Sequence, residues 1–361
     1  GGPINYTGLT PGTVTDPMKG GVINPISVYP FPNFKAEQTK SYELGTNLRL
    51  FNNKINIDAT VYLTDTYNQT FLSSMSPASG YSGFYVQAGK VRNKGIELSL
   101  GYNDQFGKVG YATNLTYTAN RNKIMKMVHD YKNPSDGSLF SITELTLQDK
   151  GGVYLREKDA IGDVYVKGIL ARGKDGKLIE EEGGYKVDRS QRIKIGSVNP
   201  DFSIGWRHNV TWNNITLDLL FNGRFGGIVT SSTQAFLDDY GVSKDTYKAR
   251  QNGGVWVNGT QYDAEKYYTT IGGEQLMAYY AYKATNIRLQ EASLSYTLPG
   301  KWFGNVINRL TVSAIGRNLW MIYNKAPFDP EMTSSTGTYN RGDVFMPPSL
   351  RSVGFSVKIE L

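Results

Sequence analysis

The stretch SVGFSVKIEL, from Ser352 to Leu361, alternates at every step. Val353, Phe355, Val357, Ile359 and Leu361 share one parity; Ser352, Gly354, Ser356, Lys358 and Glu360 share the other. Successive strand side chains point to opposite faces, so this segment, once extended, is apolar on one side and polar on the other. The same two-residue beat recurs upstream. Tyr42, Leu44, Leu48 and Leu50 oppose Glu43, Asn47 and Arg49, and Ile55, Ile57, Ala59, Val61 and Leu63 oppose Asn56, Asp58, Thr60 and Thr64. Further sets are Ile96 to Tyr102, Tyr111 to Tyr117, Phe202 to Trp212 and Ile215 to Phe221.

A soluble β-sandwich alternates too, so lengths must discriminate. These runs reach about 10–14 residues, against about 5–6 for ordinary strands and about 9–11 for a tilted membrane strand. Connections alternate as well. Asn52-Asn53, Asn213-Asn214, Asp104 to Gly107 and Pro299 to Asn305 are short, whereas Thr230 to Lys283 and Tyr323 to Pro348 are long, polar and Gly-rich. Short turns at one end and long loops at the other are the pattern of an outer-membrane barrel. Parity then requires zero or two strands between the run ending at Arg121 and the one starting at Asp201. Apolar patches flanking Ile161-Gly162-Asp163 predict an extra hairpin across Gly151 to Ala171, giving about eleven strands. Ile287 and Leu289 are odd while Leu294, Tyr296 and Leu298 are even, so either a bulge falls near Glu291-Ala292 or the strand starts at Ala292. Tyr62, Tyr67, Tyr102, Trp212, Tyr296, Trp302, Trp320 and Tyr323 cluster at run ends, as an interfacial aromatic girdle or as plain strand propensity.

Composition excludes much else. The 361 residues include 40 Gly and 25 Tyr, suited to short turns between strands, and no Cys, so no disulfide or thiolate metal site exists. Nothing approaches the roughly 20 apolar residues of a spanning helix. The chain opens at Gly1-Gly2-Pro3 without an export leader, the start expected of a processed or partial chain. Its net charge of +7 is dispersed, which reads as wet loops and lumen and not as a nucleic-acid surface.

Several segments resemble the SusC/RagA family of TonB-dependent outer-membrane transporters. NFKAEQTKSYELGTNLRLFNNKINIDATVY (Asn33 to Tyr62) and AGKVRNKGIELSL (Ala88 to Leu100) are similar to elements of TonB-dependent receptors generally. More specific are the segment from Gly196 to Gly227, NIRLQEASLSYTLP (Asn286 to Pro299) and GRNLWMIYNKAPFDPEMTSSTG (Gly316 to Gly337), followed by the PPSLRSVGFSVKIEL ending. The resemblance implies an all-β chain, the C-terminal half of a roughly 22-stranded antiparallel transmembrane barrel in the cell outer membrane. Residues 1–361 are then one portion of a barrel domain whose N-terminal plug and TonB-interacting segment are absent here, and alone this portion would not close a barrel. It further implies uptake of a bulky glycan or oligopeptide, a SusD-like surface lipoprotein, contact with TonB through the missing region, and a dimer of SusC–SusD pairs in outer-membrane lipid. A departure is the terminal residue, Leu361 where such barrels often end in Phe. Alternatives are a siderophore-type TonB-dependent receptor, a passive porin, or a soluble β-rich binding module.

No enzyme, cofactor or metal is expected. The only histidines are His129 and His208, the latter within a strand run where a lumen or girdle role outweighs catalysis, and no phosphate-loop or paired-His pattern occurs. Glu180-Glu181-Glu182 is weighed as a calcium site against a solvated loop and reads as the loop; Asp238-Asp239 is treated alike. Asp329 with Glu331 reads, on the resemblance, as a structural corner. The candidate binding residues are loop aromatics, Tyr240, Tyr247, Trp256, Tyr262, Tyr267 and Tyr268, because exposed rings stack on sugars or pack on peptides at low entropic cost. The opposing reading packs them loop against loop or against the lid.

Overall fold

The computed structural model describes residues 35–74, 83–132, 137–147, 153–304, 306–334 and 342–360. Leu361, the Gly151 start of the expected hairpin and the chain's opening residues lie outside them. The chain forms two compact units: Glu43–Val61, Gly95–Asn120 and Val164–Leu361 in one, and Gly1–Tyr42, Tyr62–Lys94 and Arg121–Asp163 in the other.

Among the described residues the wall is an eleven-stranded sheet, made of the short pair Glu144–Leu147 and Val153–Arg156 and of nine long strands. They are β1 (Gln38–Leu50), β2 (Ile55–Ser74), β3 (Gly83–Phe106), β4 (Val109–Lys126), β5 (Phe202–Trp212), β6 (Ile215–Phe225), β7 (Asn286–Pro299), β8 (Arg309–Asn324) and β9 (Ser352–Glu360). Each pairs with its neighbour in sequence, an up-and-down meander. Register aligns the alternation across strands. Phe355, Ala314, Leu294, Leu217, Val210 and Tyr111 form one continuous row, and Val357, Val312, Tyr296, Ile215, Trp212 and Val109 another. Between them, on the opposite face, runs Ser356, Ser313, Ser295, Thr216, Thr211 and Gly110. There Ser295 and Ser313 share a hydroxyl bond of 2.8 Å and Thr297 and Thr311 one of 3.1 Å. Such pairs stabilise by roughly 0.2–1 kcal/mol each, and a one-residue slip would swap all three rows between faces.

The apolar rows are not covered. Phe355 is 84% exposed, Leu294 55% and Trp206 46%, and contiguous apolar exposure on this scale marks a surface made for a nonaqueous neighbour. The paired rows explain why the chain tolerates it: this is the lipid-facing side of a barrel wall, with the polar side toward the lumen.

The turns follow from the residues in them. Asn213-Asn214 joins Trp212 directly to Ile215, with Asn213 at φ 52°, and Phe51, Asn52 and Asn53 take φ 54°, 56° and 65°. Left-handed backbone is cheap for Asn and Gly, which is why these residues mark the tight end. Gly107 (φ 59°) does the same between β3 and β4, and a 3₁₀ turn at Gly300–Phe303 links β7 to β8.

The expected hairpin across Gly151 to Ala171 does not come between β4 and β5, although Val153–Arg156 joins the same sheet through Glu144–Leu147, which meets β2 at Ser73. β5 pairs directly with β4, from Ser203 opposite Thr118 to Trp212 opposite Val109, so the count between them is zero. Val153–Arg156 instead pairs with Glu144–Leu147, and Asp163–Leu170 with Val187–Ser197. The apolar signal there came from Leu155, Ile161 and Leu170, which fill small loop cores and do not line a lipid face. The phase break in β7 is a bulge: Leu220 faces Glu291 while Phe221 faces Leu289, leaving Gln290 as the extra residue, and the strand starts at Asn286.

Candidate functional site

The long stretch from Thr230 to Lys283 is not irregular loop but a folded head. It contains α1 (Ser232–Asp239), α2 (Lys244–Gln251) and α3 (Ala264–Gly273), plus a hairpin pairing Val255–Val257 with Thr260–Tyr262. Each helix has a polar N-cap. Ser231 Oγ accepts from the Gln234 amide at 2.9 Å, Ser243 Oγ from Thr246 at 3.0 Å, and Asp263 Oδ1 from Lys266 at 2.8 Å. The Ser-x-x-Gln spacing at Ser231 is a capping-box signature in the sequence itself.

The head's core unites two loops. Leu170, Leu178 and Tyr185 of the loop before β5 pack with Tyr262, Ile271, Leu276 and Tyr280 of the loop after β6. Tyrosine suits this place because its ring fills volume while its hydroxyl satisfies loop backbone. The Tyr262 hydroxyl accepts from the Leu178 amide at 3.0 Å, and that of Tyr279 from Leu170 at 2.9 Å.

The six aromatic candidates divide accordingly. Tyr240 (76% exposed), Tyr247 (57%) and Trp256 (63%) present their rings outward from the end of α1, from α2 and from the hairpin. Tyr262 is buried, edge-on to Tyr185 at 5.6 Å, so it is a core residue and not a contact ring. Tyr267 and Tyr268 are half-buried, edge-to-face at 5.4 Å, and burial pushes both hydroxyls up to about 12. The split follows from hairpin alternation: Trp256 and Tyr262 lie on opposite faces of a two-stranded ribbon packed on one side.

Two cavities flank α3. One of about 250 Å³ is lined by Asp238, Asp239, Tyr240, Arg250, Glu265 and Tyr268; the other, of about 460 Å³, by Glu181, Glu182, Tyr185, Arg189, Thr270 and Glu274. Mixed carboxylates, guanidinium and phenol rings can hydrogen-bond and stack on a polar polymer. The acidic run is engaged by lysines, Glu180 with Lys266 at 3.6 Å and Glu181 with Lys186 at 3.9 Å. Among the described residues no cluster of three or more His, Asp or Glu is placed to hold a metal. Asp238 is buried, and that burial raises its carboxyl above the usual range despite the bond from Gln234 Nε2 at 3.0 Å.

Asp329 and Glu331 do form a corner, and its anchor is a residue the sequence reading passed over. Arg288, on the lumen face of β7, donates to both oxygens of Asp329 at 2.8 and 3.1 Å, and to Asn286 Oδ1 at 3.1 Å. Both charges are buried. Asn324 Nδ2 ties the same corner through the Ala326 and Phe328 carbonyls at 3.0 and 2.7 Å. A cation two residues into a strand, on the parity facing inward, was the available signal. The histidines sit apart from both sites. His129 meets Glu157 at 2.6 Å, and His208 lies on the apolar face, its Nδ1 2.9 Å from the Tyr111 hydroxyl and its ring 4.3 Å from Trp206, as in a girdle.

The family described as TonB dependent receptor-like, beta-barrel matches residues 3–156. Over that stretch the chain is similar to the TonB-dependent receptor barrels. Two receptors of Formosa agariphila are similar along most of it: TonB-dependent receptor P3, 24% identical over 88% of this chain, and TonB-dependent receptor P39, 21% identical over 86%. The chain spans about a third of the length of each, 33% and 34%. In fold it is SusC/RagA-like. A structure of the RagAB peptide importer in a closed-closed state superposes with TM-score 0.64 at 19% identity, covering 90% of this chain and 35% of that one. The open-open state gives 0.64 at 20% identity, covering 93% and 36%. These TonB-dependent relatives match the wall described above, and the receptor barrel family is an outer-membrane one.

Proposed function

We propose that this chain supplies barrel wall and extracellular head to an outer-membrane importer of bulky nutrients, a glycan or an oligopeptide, and carries out no catalysis itself. The observation that carries this reading is the pairing of a two-faced wall with a folded, pocketed, aromatic-bearing head at its long-loop end. The similar solved structures are of a peptide importer, which supports oligopeptide as the cargo to test first. In this reading residues 1–361 are one portion of a barrel domain, and plug and TonB contact belong to the remainder of the receptor. A SusD-like lipoprotein covers the head, and such pairs associate as dimers. Tyr240, Tyr247 and Trp256 contact cargo or lid, while Tyr262, Tyr267 and Tyr268 hold the shape those rings are mounted on.

Affinity purification of the full-length receptor from outer membranes, paired with growth of a deletion strain on single polymers, tests the proposal. Recovery of a surface lipoprotein and loss of growth on one polymer class are expected. Purification without any lipoprotein, with growth unimpaired on every glycan and peptide tried, overturns it.

A further inference from the structure

A cavity of about 450 Å³ lies between the far end of β8, the corner around Asp329 and the segment leading into β9. All of its lining belongs to one compact unit. Met321 is the ladder partner of Arg288, and paired residues share a face, so it projects to the lumen side. The cavity's walls are apolar and adaptable: Met321, Met332, Met346 and Phe328 line it, each half-buried. Unbranched thioethers fit varied shapes and make favourable contacts with aromatic rings. The polar groups of the lining are largely spent internally. Asn324 Nδ2 donates to two carbonyls of the corner, and Asp329 is held by Arg288 at 2.8 Å. Asp343 is the exception. It is 5% exposed, and among the described residues its partners are neutral: Ser231 Oγ donates to Oδ2 at 2.6 Å and the Met346 amide to Oδ1 at 3.3 Å. A carboxylate offers about four lone-pair sites, so about two stay open. Ser231 caps α1, whose positive end supplies roughly half a charge and leaves the rest without a counter-ion.

We propose that this cavity receives the first residue of an oligopeptide, its apolar or aromatic side chain against the methionines and its α-ammonium on Asp343. The inference rests on the importer reading above and narrows the cargo to peptides with a free amino terminus. Charge complementarity selects the occupant. A buried carboxylate is stable when a cation pairs with it, and an α-amino group, with an ordinary pKa of about 7.7–8.0, is mostly protonated at pH 7. The volume suits one large side chain with its backbone and falls within the roughly 300–1,000 Å³ of ligand pockets. An acidic first residue would set a second carboxylate near Asp343. A neutral sugar ring brings no cation, and an internal lysine brings one on a stem too slender to fill the cavity.

The test uses the full-length receptor purified from outer membranes in mild detergent, titrated at pH 7 by fluorescence anisotropy. The probe is the peptide Phe-Ser-Gly-Ser-Gly-Ser-Gly, labelled at its carboxyl end, compared with its N-acetylated form and with a form that begins with Gly. Acetylation is expected to weaken binding about tenfold or more, the equivalent of one charge-assisted bond. Gly in first place is expected to weaken it about tenfold, the equivalent of one buried apolar side chain. Asp343→Asn should abolish the acetylation penalty and keep the preference for Phe, whereas Met332→Ser should shrink that preference and keep the penalty. Heat-dependent gel mobility shows whether each variant is folded; if Asp343→Asn is not, wild type and Met332→Ser decide. Wild-type binding indifferent to acetylation overturns the inference. So does a penalty that survives in folded Asp343→Asn, or a Phe preference unchanged in Met332→Ser. Growth of the deletion strain unimpaired on every polymer overturns the importer reading and this inference together, whereas peptide-dependent growth with no acetylation penalty overturns this inference alone.

Discussion

Replacing Asp329 by alanine strands the Arg288 guanidinium, whose side chain is 6% exposed. Two charge-assisted bonds, at 2.8 and 3.1 Å, disappear. Removing one partner of a buried pair costs about 3–5 kcal/mol because the other charge is left without compensation. Two features put this case at the lower end. Asn286 Oδ1 still accepts from Nε and Nη2 at 3.2 and 3.1 Å, and the Glu331 carboxylate, 3.6 Å away and largely solvated, can swing inward. About 3 kcal/mol is therefore expected, felt locally at the corner of residues 324–331 and not as unfolding of the wall. Hydrogen exchange on the full-length receptor in detergent reads this directly, as about a hundredfold loss of protection in that segment. The paired substitution Arg288→Met with Asp329→Leu removes both charges and is expected to recover most of the loss. An added arm is pH. Burial alone would raise the Asp329 carboxyl, but bonds from Arg288, the Glu331 amide and Ser349 outweigh it and hold the group below the usual range. Its stabilisation is thus full above the unfolded carboxylate value of about 4 and is lost as pH falls through the lower, folded value, whereas the alanine variant stays flat. Wild-type protection in Asp329→Ala, or a double variant no better than the single, refutes the reasoning and leaves the Asn324 carbonyl bonds as the corner's anchor.

Asp238→Asn should stabilise the head at pH 7–8 and change nothing near pH 4, because the raised carboxyl stabilises fully below its unfolded value and is lost as pH rises through the folded one; thermal proteolysis across pH would reveal an opposite slope if this is mistaken. Tyr262→Ala should cost about 3–5 kcal/mol of head stability through a cavity and an orphaned Leu178 amide, while Trp256→Ala should shift it by under about 0.5 kcal/mol; equal protease sensitivity of the two would contradict the core assignment. Deleting Gln290 should leave the receptor assembling with normal heat-dependent gel mobility, since it removes only the extra bulge residue, whereas deleting Ser293 from the regular ladder should abolish assembly; the reverse result would place the bulge elsewhere.

How much of this was legible depended on whether the pattern was local. Alternation exposed seven of the nine long strands at once, and the phase conflict between Leu289 and Leu294 disclosed the Gln290 bulge within two residues, because facing is a property of consecutive positions. β7 and β8 needed that conflict or a family likeness to be seen whole. The head was not legible by the same means. Its three helices are 8, 8 and 10 residues, too short for an apolar stripe to stand out, and their stability comes from a core shared with the distant 170–185 segment. Only the caps, Ser231, Ser243 and Asp263, announced them, and caps alone are common in loops. The aromatic set failed in the same way: exposure at Trp256 and burial at Tyr262 are decided by which face of a hairpin meets the head, a tertiary fact.

The basic residues of β1 to β4 show what a change of coordinate recovers. Counted along the sequence, Lys40, Lys90, Arg92, Lys94, Arg121 and Lys123 are dispersed, and dispersed charge reads as solvated surface. Counted by facing, they occupy one side of four strands, at the level where the apolar series stops. The period of two that identifies a strand also assigns each residue to lipid or lumen, so charge density in a barrel has to be summed per face and per height before it is judged. On the lumen face the charged groups find partners within the wall: Arg207 meets Asp218 at 3.4 Å, and the Asn47 amide donates to Asp58 at 3.1 Å. On the outer parity of β2 and β3 the Asp65 carboxylate orients both Arg92 and Lys90.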